Sequence, residues 1–151
     1  MSQQNVELAR RFFDATARAM ASYWQEPLSI AEALRTGDLT PEGELAFEFL
    51  HPDVSWNAGG FGTFQGRKQM AAGWDDILDV ADNYSVSVGE LREGQSDLVY
   101  AAVERGITAK GSGMETSFPV FAVLRIEDGL ITRIDEYADR HEALEAAGLE
   151  E

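Results

Sequence analysis

The spacing of hydrophobic residues changes at Asn83, and this change limits the folds that the chain can adopt. Before Asn83 the apolar residues recur at helical spacing, most regularly within 67–81. The apolar positions of that segment are Met70, Trp74, Ile77, Leu78 and Ala81. After Asn83 apolar and polar residues alternate, as in half-buried strands. Helices followed by a run of strands predict an α+β fold with an antiparallel meander.

Local signals divide the helical half of the chain. Residues 5–24 carry one apolar stripe and predict a long first helix that Pro27 ends. Ser29 opens a capping box for a short second helix, and Thr40 before Pro41 begins a third. A short strand and a glycine-rich loop then precede the helix over 67–81.

Four strands are predicted in the second half, with turn-forming residues between them. They cover about 84–88, 98–108, 116–126 and 130–138. The Asp-Gly pair before the last of them is a strong signal for a tight hairpin. A short acidic helix over 142–147 ends the pattern.

The strand over 116–126 is apolar on both faces, so both faces need cover. The predicted helices gather on one face only. We therefore expect a second subunit on the other face, in a homodimer formed sheet to sheet through Phe121 and Val123.

Length and charge exclude several classes of protein. A chain of 151 residues has the size of one domain, and its net charge of −15 repels nucleic acids and anionic membrane surfaces. The chain has no cysteine, and His51 and His141 are too few and too distant for a zinc site. We expect no metal and no cofactor. The amino terminus has no apolar run of the kind that a signal peptide needs, which predicts a cytoplasmic protein.

Several segments together resemble a known family. HPDVSW at 51–56, GRKQM at 66–70, LVYAAVERG at 98–106 and FAVLRIEDGLITRIDEYAD at 121–139 are similar to the SnoaL-like branch of the nuclear transport factor 2-like superfamily. The resemblance covers about residues 5–147. It implies one domain over 1–151: a cone-shaped, curved antiparallel sheet that wraps around the long N-terminal helix, with further helices on its concave side and an apolar pocket inside.

The segment at about 25–43 is longer than the usual connection in that family. Its short capped helix has few predicted long-range anchors, so we expect a partly mobile cover at the wide end of the cone.

The resemblance excludes one mechanism of the superfamily and weakens another. The three catalytic positions of ketosteroid isomerases match Phe12, Ala58 and Ala122 here, and none of these can do that chemistry. The catalytic positions of limonene epoxide hydrolases match Val103, Arg105 and Glu136, so only the last acid of that site is retained.

Strand parity places Arg105 on the same face as Val103, and Glu136 on the same face as Ile134. The resemblance implies that these faces line the pocket. Glu136 is the candidate proton-transfer group, because apolar surroundings favour the neutral form of a carboxyl group. Arg105 would stabilise negative charge on a ligand, or would instead form an ion pair with Glu136. The other expected pocket residues are Phe12, Trp56, Met70, Trp74, Val103, Phe118, Val120 and Ile134.

Two classes of function stay open. The first is a cofactor-independent isomerase, cyclase or hydrolase that acts on a small apolar molecule by acid/base chemistry. The second is a non-catalytic dimeric module that binds a ligand or recruits a protein. A third, purely structural interpretation is that tryptophan and phenylalanine side chains fill the cavity. The fold does not decide between the two functions, because the superfamily hosts both.

Overall fold

The computed structural model describes residues 2–25 and 29–150. Its helices are α1 (Ser2–Gln25), α2 (Ile30–Thr36), α3 (Pro41–Glu48), α4 (Gly66–Val80) and α5 (Arg140–Ala146). Its strands are β1 (Leu50–Asn57), β2 (Thr63–Gln65), β3 (Ala81–Glu93), β4 (Leu98–Ala109), β5 (Glu115–Glu127) and β6 (Leu130–Tyr137). Pro27, the expected end of the first helix, lies outside the described residues. Within the described ranges, no helix is both long enough and apolar enough to cross a membrane.

The strands form one six-stranded sheet in the order β2-β1-β6-β5-β4-β3. From β3 to β6 each strand pairs antiparallel with the next in sequence, which is the predicted meander. Strand β1 joins β6 in parallel, and β2 pairs antiparallel with β1 at the edge. The predicted α+β class is therefore confirmed, and one parallel pair makes the sheet a mixed one.

The inner face of the sheet packs on α1 and α4. Phe12 and Met20 of α1 and Met70 of α4 are buried there against Val103 of β4 and Leu124 of β5. The helical stripe on α1 and the period-two pattern on the strands thus meet in one core, because each supplies the apolar surface that the other must cover.

The outer face of the sheet is covered in part by α5, which corrects the expectation that only a second subunit could cover it. Leu144 of α5 is 1% exposed and packs in a cluster with Tyr100 and Val123 of the sheet, with Phe121 at its margin. Arg140, at the start of α5, donates hydrogen bonds to the hydroxyl of Tyr100 at 2.7 Å and to Glu90 at 2.6 Å. At these positions α5 of the same chain covers the outer face of β5, which explains why this strand is apolar on both faces.

The second helix is tied to α4 by a single carboxylate. Asp75 accepts hydrogen bonds from the backbone N–H groups of Ile30 and Ala31, at 2.7 and 3.0 Å, and from the hydroxyl of Ser29 at 2.7 Å. Ile30 is also 2% exposed in the core. The expectation that the 25–43 segment has few long-range anchors is thus wrong for its described part; residues 26–28 are not described.

Replacing Asp75 with alanine is expected to lower the free energy of unfolding by about 1–3 kcal/mol, because the first turn of α2 loses its acceptor. Urea denaturation followed by circular dichroism measures this change. Asp76→Ala is the matched control, because Asp76 is the exposed neighbour on the same helix. Equal effects of the two substitutions would contradict the anchoring role of Asp75.

Candidate functional site

A small cavity lies between α1, α4 and the inner face of the sheet. Its volume is about 30 Å³, enough for one or two water molecules. Its wall consists of Phe12, Phe13, Thr16, Trp56, Met70, Trp74, Tyr84, Val86, Arg105, Ile134 and Glu136. Most of the space inside the cone is thus filled by the chain's own aromatic and aliphatic side chains.

The predicted site residues divide into two groups. Those in the wall of the cavity are Arg105, Glu136, Phe12, Trp56, Met70, Trp74 and Ile134. Val103, Phe118 and Val120 are outside it. Val103 and Val120 are opposite each other in the β4–β5 register and lie buried in the core, whereas Phe118 is partly buried opposite Arg105. Position 105 belongs to the wall because the side chain of Arg105 is long enough to reach the cavity.

Arg105 and Glu136 form a two-point ion pair at one end of the cavity. Nη1 and Nη2 of Arg105 lie 3.2 and 2.9 Å from Oε1 and Oε2 of Glu136. The two side chains are 15% and 10% exposed. Strand β5 separates β4 from β6, and the small Ala122 stands opposite Glu136 on it. Of the two roles considered for Arg105, the structure shows pairing with Glu136.

Trp56 completes the hydrogen bonding of this carboxylate. Its indole N–H donates to Oε2 of Glu136 at 3.0 Å. The parallel pairing of β1 with β6 brings the two residues together, since Trp56 stands next to Ile134 in that register. Glu136 therefore accepts from Arg105 on both oxygens and from Trp56 on one.

Tyr84 of β3 also belongs to the cavity wall, although the sequence pattern does not distinguish it from its neighbours on that strand. It is 8% exposed, lines the cavity and places its ring centroid 6.0 Å from Cζ of Arg105. Burial raises the pKa of Tyr84, although Arg105 acts in the opposite direction. Burial alone would lower the pKa of Arg105, but the phenolate that Tyr84 forms at high pH and the carboxylate of Glu136 outweigh it and raise that pKa. At neutral pH the guanidinium is charged and the phenol is neutral.

A cluster of aromatic rings packs against the side chain of Trp56. The ring of Phe64 lies 4.9 Å from that of Trp56, and the ring of Trp74 lies 6.5 Å from it. Gly73 makes room for this packing, because a Cβ atom there would lie 2.9 Å from Phe64 and 3.0 Å from Trp56. The glycine-rich segment predicted as a loop contains the short strand β2 that carries Phe64.

Neither histidine contributes to the cavity wall. Nδ1 of His51 accepts from the backbone N–H of Asp53 at 3.0 Å, and His141 lies 3.6 Å from Glu145 on α5. In the part of the chain that the structure describes, no three histidine or acidic side chains come together as metal ligands.

Comparison with known proteins gives a family match and a set of similar folds. The family model of the SnoaL-like domain matches residues 9–134. No curated protein matches the chain.

Three solved structures illustrate the similarity of fold. A putative SnoaL-like polyketide cyclase from Jannaschia sp. is 16% identical, with a TM-score of 0.63, and the match covers 99% of this chain and 95% of that one. An NTF2-like protein of unknown function from Burkholderia pseudomallei is 20% identical, with a TM-score of 0.57 and coverage of 79% and 92%. TerC, co-crystallized with polyporic acid, is 22% identical, with a TM-score of 0.56 and coverage of 78% and 93%. At these identities the likeness establishes the fold alone.

Proposed function

The chain belongs to the SnoaL-like family, and on this premise we propose that it binds a small, largely apolar molecule in the cavity that ends at Arg105 and Glu136. We include in the proposal that residues 1–151 form one domain, because both the first and the last described helix pack on the same sheet.

The observation that carries the proposal is the complete pairing of the charges in the cavity wall. Both terminal nitrogens of Arg105 and both carboxylate oxygens of Glu136 are engaged with each other. The polar end of the cavity therefore has no net charge, and most of the remaining wall is aromatic or aliphatic. Such a wall favours an uncharged ligand, since a charged one would lose its hydration without gaining a counterion.

A ligand must widen this cavity before it can occupy it. The volume of about 30 Å³ is far below the roughly 300–1,000 Å³ of ligand pockets in general. Met70 is 1% exposed and belongs to the wall. Its unbranched thioether side chain can change rotamer more easily than the rings around it. We therefore assign the widening of the cavity to Met70.

A second candidate function is acid/base catalysis without a cofactor, as in an isomerase, cyclase or hydrolase. It is favoured by the position of Arg105 and Glu136 in the cavity wall, where both would be next to a bound molecule. Glu136 would transfer the proton and Arg105 would stabilise the negative charge that develops. To accept a proton, Glu136 must first weaken its hydrogen bonds with Arg105 and Trp56. Binding therefore remains the better-supported function.

The binding proposal predicts that a phenyl-sized hydrocarbon enters the cavity. We expect α-methylstyrene, titrated into ¹⁵N-labelled protein, to shift the indole N–H signals of Trp56 and Trp74. The Val86→Phe substitution should weaken this binding at least about fivefold, because the added ring overfills the wall.

Val88→Phe is the matched control for that experiment. Val88 lies on the same strand and the same face as Val86 and packs on the core, but it is outside the cavity wall. It should leave the binding of α-methylstyrene nearly unchanged. Absence of binding to the wild-type protein would refute the proposed function.

A further inference from the structure

Several hydrogen-bond donors in the cavity wall already have acceptors within the protein. The indole N–H of Trp56 donates to Glu136, and the terminal N–H groups of Arg105 donate to the same carboxylate. The hydroxyl of Thr16 donates to the backbone carbonyl of Phe12 at 2.9 Å. One N–H group on each terminal nitrogen of Arg105 is committed in this way, and Arg105 also donates a hydrogen bond to the hydroxyl oxygen of Tyr84.

The remaining nitrogen of Arg105 does not change this inventory. Within the described residues Nε of Arg105 has no hydrogen-bond partner, but the atom itself is buried. Nε is therefore not accessible to a molecule in the cavity.

The hydroxyl of Tyr84 is a further donor in the cavity wall. Arg105 is its polar neighbour, and a guanidinium has only N–H groups, so it cannot accept the phenol hydrogen. Among the residues that the structure describes, none accepts a hydrogen bond from this hydroxyl. Because burial favours the neutral phenol, Tyr84 keeps its hydrogen at neutral pH.

Charge decides what kind of group this donor receives. A carboxylate ligand would have to compete with Glu136 for Arg105, and it would also approach a chain whose net charge is −15. A neutral acceptor oxygen has neither difficulty. We infer that Tyr84 anchors the ligand by donating a hydrogen bond to an uncharged acceptor oxygen, and that the site takes ketones or aldehydes in preference to carboxylates. This inference rests on the proposed function.

Two isosteric probes and one anion test the inference. Acetophenone and α-methylstyrene differ in having C=O or C=CH₂ at the same place, and benzoate places a carboxylate there. In wild-type protein we expect acetophenone to bind about tenfold more tightly than α-methylstyrene, as one hydrogen bond allows. Benzoate should bind more weakly than either. The Tyr84→Phe substitution should remove the preference for the ketone, whereas Tyr137→Phe, on the outer face of the sheet, should retain it.

The possible results distinguish a failure of this inference from a failure of the proposed function on which it rests. If neither neutral probe binds the wild-type protein, the proposed function and the inference both fail. If both bind equally, or if Tyr84→Phe keeps the preference, the inference alone fails. If Tyr84→Phe does not fold, the wild-type protein provides a second test. There acetophenone, but not α-methylstyrene, should shift the NMR signal of the Tyr84 ring carbon next to the hydroxyl. Absence of that difference would also overturn the inference.

Discussion

Replacing Glu136 with glutamine is expected to lower the free energy of unfolding by about 3 kcal/mol, because Arg105 is then left charged and unpaired in an apolar wall. Arg105 is 15% exposed, so water cannot replace the lost carboxylate in full. The substitution keeps the size of the side chain, so the loss reports on charge rather than on packing. Urea denaturation at neutral pH, followed by circular dichroism, measures it.

Two further variants show whether the effect belongs to the pair. Glu104→Gln changes an exposed glutamate that precedes Arg105 on β4 and should alter stability by no more than about 0.5 kcal/mol. Replacing both members, as Arg105→Met with Glu136→Leu, should recover most of the loss, since no buried charge is then left alone. A Glu136→Gln variant as stable as the wild type would refute the buried ion pair.

Leu144→Ala is expected to lower the free energy of unfolding by about 2–5 kcal/mol, because it leaves a cavity where α5 covers the sheet. Leu144 is 1% exposed and packs beside Tyr100 and Val123. Leu45→Ala is the matched control: Leu45 is 47% exposed, and its loss should cost less than about 0.5 kcal/mol. Chemical denaturation of the two variants gives the comparison.

The same experiment bears on the homodimer, which stays a proposal. If α5 is the cover of this face, the effect of Leu144→Ala is the same at all protein concentrations. If a second subunit provides the cover, stability rises with concentration and sedimentation shows a dimer. A result of the second kind would support an interface through Phe121 and would limit the role assigned to α5.

The class of fold could be predicted because it depends on local patterns. The change of period at Asn83 lies two residues after the observed boundary between α4 and β3, and the meander follows from short turns between strands. The parallel pairing of β1 with β6 could not be predicted in this way, because nothing local in 50–57 specifies a partner so distant in sequence. The covering role of α5 was missed because its apolar stripe is short and its remaining residues are mostly charged.

The candidate site was predictable only in part for a related reason. Strand parity gives the face on which a side chain lies, but not its position along that face. Arg105 and Val103 therefore look equivalent in sequence, although only Arg105 is in the cavity wall. Tyr84 shares the parity of Val86, yet only the β3–β4 register shows that it lies diagonal to Arg105.

The parallel β1–β6 pair also constrains the order in which the strands can pair during folding. From β4 to β6 each strand can form a hairpin with the one before it, whereas the hydrogen bond between Trp56 and Glu136 joins residues 80 positions apart. Closing so long a loop costs more chain entropy than closing a hairpin, so we expect β1 to dock late in folding. A chain arrested before that step would possess its complete meander, but its cavity wall would lack Trp56.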